Sequence, residues 1–71
     1  MLFEEEFDFR PLGLAIKQAR KRRGLSQEYI AGILGIDRRH VSYIESGSRQ
    51  PSVQILYKLT RFFIAGQNKN A

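Results

Sequence analysis

The sequence predicts an all-α domain of four to five short helices, and three observations predict it. Apolar residues recur at three- and four-residue spacing in four successive stretches, as they do on one face of a helix. The stretches are separated by short segments rich in Gly, Ser and Pro. No stretch shows a convincing alternation of apolar and polar residues with the period of two that a half-buried strand requires. At 71 residues the chain suffices for one domain with a single modest core.

The opening MLFEEEFDFR, residues 1–10, is acidic and aromatic and is expected to form an arm. Phe7 and Phe9 could pack on the core while the carboxylates sit near the positive end of the first helix. Pro11 suits a helix start. From Leu12 to Arg23, Leu12, Ala15, Ile16 and Ala19 share a face, Lys17, Lys21 and Arg22 fall mostly outside it, and Gly24 supplies a C-terminal cap. Ser26 is a suitable N-cap for a second helix with Glu28 in its first turn and Ile30, Ala31, Ile33 and Leu34 facing inward. Gly35-Ile36-Asp37 is only long enough for a turn. Asp37 is expected to cap a third helix that runs to about Ser46 and stops at Gly47. SGSRQPS reads as a loop, and Ser52 as the cap of a fourth helix from Val53 to about Ile64, with Ile55, Leu56, Leu59 and Phe63 on one face. Phe62 is expected to cover Phe63. Residues 66–71 form a polar tail, leaving 11–65 as the folded domain.

The third helix carries most of the functional information. Stepping about 100° per residue from Val41 places Ile44 beside it and Arg39, Ser42 and Tyr43 on the opposite arc, flanked by Arg38 and His40. The helix is apolar behind and rich in hydrogen-bonding groups in front. A major groove admits one such helix, and arginine reads guanine there through a two-pronged contact.

Charge supports the same direction. Glu4, Glu5, Glu6 and Asp8 lie in the first nine residues, and the rest of the chain carries 12 Lys and Arg against Glu28, Asp37 and Glu45. A small domain this basic suits a polyanion. A membrane surface is the weaker alternative, because the apolar face of the basic helix IKQARKRR is needed for the core. No apolar run approaches the roughly 18–20 residues that span a bilayer, and no secretory leader is evident, so a cytoplasmic protein is expected. There is no cysteine, hence no disulfide, thiol nucleophile or cysteine-based zinc site. His40 stands alone, and Ser42 diverges from it on a helix, so neither a metal centre nor a catalytic pair is expected. No glycine-rich phosphate cradle is present. The expectation is a non-enzyme without cofactor or small-molecule ligand.

From Gln27 to Ile44, the placement of Ile30, Ala31, Leu34, Gly35, Ile36, Val41 and Ile44 is that of a helix-turn-helix, whose second helix enters the groove while the first crosses the backbone. LSQEYIAGILGI and VSYIESGSRQPS closely resemble the usual forms of the Cro/C1-type (XRE) family of bacterial and phage regulators, and the resemblance covers about residues 12–63.

That resemblance implies a lambda-repressor-like fold and a sequence-specific double-stranded DNA-binding transcriptional regulator, expected to be a repressor. It implies that Gln27 contacts phosphate and braces the recognition helix, and that Arg38 and Arg39, with Tyr43 one turn on, read bases. Ser42 and His40 match positions that touch base or backbone, and Arg49 matches a phosphate grip in the following loop. Arg20 and Glu45 correspond to a structural ion pair. Lys17, Arg22 and Arg23 are further candidates for backbone contact.

A homodimer on an inverted-repeat operator is expected. The chain departs from its relatives in Gly32 within the second helix, in two adjacent arginines opening the third, and in having little sequence after Phe63 for the fifth helix that supports dimerisation in many of them. The alternative function is an antitoxin-like or protein-interaction module of the same fold, using Phe62, Phe63 and the acidic arm.

Overall fold

A computed structural model describes residues 8–68 and resolves the chain into α1 (Arg10–Arg22), α2 (Gln27–Leu34), α3 (Arg38–Ser46) and α4 (Val53–Asn68), with no strand among the described residues. Most of the acidic arm, residues 1–7, and the last three residues of the polar tail lie outside the described residues.

Local chemistry accounts for most of the boundaries. α1 starts two residues earlier than expected because Pro11 tolerates the first turn, where its missing N–H is no loss. Asp8 accepts from the Arg10 backbone N–H at 3.1 Å and from its guanidinium at 2.9 and 3.0 Å. Ser26 Oγ accepts from Tyr29 N at 3.0 Å and starts α2, and Ser52 Oγ accepts from Ile55 N at 3.1 Å and starts α4. Asp37 occupies the N-cap position of α3, but its carboxylate makes no capping bond; its backbone carbonyl accepts from His40 and Val41. Gly35 has φ +73°, a left-handed conformation that turns the chain from α2 into α3 within three residues. α4 continues past the expected end near Ile64, since no proline interrupts it and Gly66 costs only about 1 kcal/mol in a helix.

The core joins Ile16 of α1, Ile30, Ala31 and Leu34 of α2, Val41 and Ile44 of α3, and Ile55 and Leu59 of α4. Leu12, Leu25, Ile36, Phe62 and Phe63 pack around it. Two positions expected to face inward are exposed, Ala15 and Ile33, and Leu12, Ala19, Leu56 and Phe63 are half-buried. Ala15 and Leu56 line an open groove between α1 and α4, and Ile33 borders a shallow hollow beside Tyr57 and Phe62 of α4. Gly13, not counted as inward-facing, is buried on α1, and so is Arg20, expected at the edge of the inward face as half of an ion pair.

The largest helix contact is between α1 and α3, then α2 and α3; α4 packs more sparsely. At the α1–α3 crossing, a Cβ added to Gly13 would overlap the Ile44 carbonyl and lie 2.6 Å from that of Glu45. The helices therefore touch backbone to backbone. Gly32, by contrast, has open space where a side chain would go, so no close approach requires it.

Candidate nucleic-acid interface

α3 is held from behind by its buried Val41 and Ile44 and by a polar network centred on Glu45. Arg20 donates to Glu45 through Nε at 2.7 Å and through Nη2 at 3.0 Å, a two-pronged pair, and its Nη1 donates to the Leu25 carbonyl at 2.8 Å. Gln27 Nε2 donates to Glu45 Oε1 at 3.0 Å. One carboxylate thus joins α1, the start of α2 and α3. The hydrogen-bonded Glu45 carboxylate raises the pKa of the Arg20 guanidinium above its ordinary value, against the opposing effect of burial. No buried side-chain nitrogen or oxygen among the described residues lacks a partner.

The front of α3 is open. Arg38 and Arg39 are exposed at its first turn, Tyr43 is exposed one turn on, and Ser42 and His40 are half-buried between them. Beyond the helix, the Arg49 guanidinium lies 5.0 Å from the centre of the Tyr43 ring, a cation–π contact that ties the loop to the recognition surface. Ser48 N and Arg49 N both donate to the Tyr43 carbonyl, and the Ser46 and Ser48 hydroxyls are bonded to each other at 2.7 Å. Buried Pro51 anchors the end of the loop. Ser46 and Ser48 were not among the candidates from sequence; the density of hydroxyls in SGSRQPS beside Arg49 was the available signal.

The basic residues of α1 divide into two sides. Lys17 is four residues after Gly13 and three before Arg20, so it shares the side that faces α3. Arg22 instead follows Ala15 and Ala19 on the side turned toward α4. Arg23 is half-buried against α4: it donates to the Ala19 carbonyl at 3.3 Å and the Phe63 carbonyl at 2.9 Å, and stacks 4.7 Å from the Phe63 ring centre. Of the α1 cations expected to contact a DNA backbone, Lys17 thus lies on the side shared with α3, whereas Arg22 and Arg23 lie toward α4. Among the described residues no cluster of His, Cys, Asp or Glu could hold a metal ion, and no helix is long and apolar enough to cross a membrane.

A short helix fixed at its back, open at its front and preceded by a tight left-handed turn defines a helix-turn-helix domain. The family described as helix-turn-helix matches residues 16–64. Two proteins of Archaeoglobus fulgidus, both named as uncharacterized HTH-type transcriptional regulators, are each 34% identical to the chain over 50 residues; this covers 70% of the chain and 71% and 70% of theirs. The chain belongs to the Cro/C1-type helix-turn-helix family of transcriptional regulators. Both relatives are archaeal, so they lend no support to the expectation of a bacterial or phage source.

Proposed function

We propose that this protein is a sequence-specific double-stranded DNA-binding transcriptional regulator that acts as a repressor in the cytoplasm. The observation that carries the reading is the outward arc of Arg38, Arg39, Ser42 and Tyr43 on a helix whose opposite side is locked to α1 and α2. Arg38 and Arg39 read guanine edges in the major groove, with Ser42 and Tyr43 alongside. His40, Arg49 and Lys17 hold the phosphates, and Gln27 adds a backbone contact while bracing Glu45. One domain of this size covers few base pairs, so two copies bind an inverted repeat with half-sites about one helical turn apart.

Selection from random duplex followed by titration at several salt concentrations tests this. An enriched palindrome containing G·C pairs is expected, with affinity falling steeply as salt rises. Arg39→Ala should cost about 1–3 kcal/mol at one base position, whereas Arg49→Ala weakens all sequences alike and lowers the salt slope by about 1. Salt-sensitive binding without any preferred sequence would remove the specific regulator, and failure to bind duplex at all would favour a protein partner.

A further inference from the structure

Three arginines among the described residues lie over aromatic rings, and they use their N–H groups differently. Arg23, over Phe63, donates to two backbone carbonyls, and Arg61, over Tyr57, donates to the hydroxyl of that ring at 3.1 Å. Arg49, 5.0 Å from the centre of the Tyr43 ring, donates from its guanidinium to no acceptor among the described residues. A guanidinium held by its face alone keeps its in-plane N–H groups open to a second partner. The backbone explains why these two side chains meet. The Tyr43 carbonyl accepts from Ser48 N at 3.0 Å, from Arg49 N at 3.3 Å and from the Ser46 hydroxyl at 3.1 Å, so the chain after α3 folds back around this one residue. Gly47, at φ +82°, makes the reversal. Arg49 therefore leaves the loop at a fixed place relative to Tyr43, and both side chains are exposed.

We propose that Tyr43 is a positioning residue: its ring stacks on the Arg49 guanidinium and aims the open N–H groups at a nucleic-acid phosphate, so that Tyr43 contributes affinity through Arg49 and does not read a base. This rests on the DNA-binding reading above and narrows the part that Tyr43 plays in it. A long arginine side chain loses rotamer freedom when it grips a phosphate. Stacking on the ring takes part of that loss before DNA arrives, which is preorganisation of the contact. The ring face that Arg49 covers is also closed to a thymine methyl. Arg38 and Arg39, one turn earlier on α3, have no such partner and keep the base-reading role.

The test uses the full chain, the duplex enriched by selection and its single-base-pair variants. Tyr43→Ala keeps the backbone carbonyl, and with it the folded loop, but removes the ring. It should weaken binding to every duplex by the same factor, about two- to fivefold, as expected for an exposed cation–π contact. It should also lower the salt slope toward that of Arg49→Ala, and cost nothing further in the Arg49→Ala background. Tyr43→Phe should restore both affinity and slope, because the ring face suffices. In the protein without DNA, the Arg49 side-chain protons should show the upfield nuclear magnetic resonance shift of groups lying over a ring, retain it in Tyr43→Phe and lose it in Tyr43→Ala. The proposal is overturned if that shift is absent from the unsubstituted protein, if Tyr43→Ala alters the preference at one base pair, or if its cost persists in full without Arg49. An unsubstituted chain that binds no duplex at all removes the regulator reading together with this proposal, whereas the other three results leave that reading standing.

Discussion

The two sides of α1 are built differently. Toward α3 it presents Gly13, in backbone contact, and Arg20, in a buried two-pronged pair with Glu45. Toward α4 it presents Leu12, Ala15 and Ala19 along an open groove, and α4 itself leaves Val53, Tyr57 and Ile64 exposed. The first side fixes α3, and the proposed reading of base edges by that helix requires it to keep its angle and height relative to the rest of the domain. The second carries no such constraint. Directional, closely fitted contacts therefore gather where positioning matters, and looser apolar contact serves elsewhere.

The largest test of that contrast is the ion pair. Glu45→Gln or Arg20→Met removes one partner and should cost about 3–5 kcal/mol, because the other is left buried without compensation; thermal denaturation reads the loss directly, and an unchanged melting temperature would refute the positioning role. Next is the backbone contact: Gly13→Ala forces α1 off α3 and should cost about 1–3 kcal/mol in denaturant titration, the usual range for overpacking. Gly32→Ala probes a site without neighbours and should stabilise the domain by about 1 kcal/mol, visible as a raised melting temperature with DNA affinity unchanged. The smallest effect belongs to the exposed Asp8–Arg10 pair. Asp8→Asn should leave the melting temperature unaltered, since solvent screens such contacts.

The helical elements were legible because caps and periodicity act locally. Ser26, Ser52, Gly35 and Gly47 stand at the ends where their chemistry places them, and Val41 and Ile44 face the core as the α3 wheel requires. The failures lie at the edges. Ile33 and Ala15 satisfy the spacing of an inward face, yet their burial depends on how far a neighbouring helix extends. Arg22 and Arg23 are alike in sequence as candidates for backbone contact, but one turns to the groove side and the other donates to the Phe63 carbonyl and stacks on its ring. Their roles depend on where α4 runs, which no local pattern records.

The sequence by itself determined the four helices, the tight turn before α3, the apolar back and polar front of that helix, and the concentration of acidic charge ahead of a basic domain. These follow from side-chain spacing and capping within a few residues. Only the tertiary structure decided that Gly13 is a crossing point, that Gln27 joins the Arg20–Glu45 pair, that Arg49 lies over Tyr43, and that α1 and α4 leave a groove between them. Each depends on the separation and angle of segments distant in sequence, and those are set by how the whole core packs.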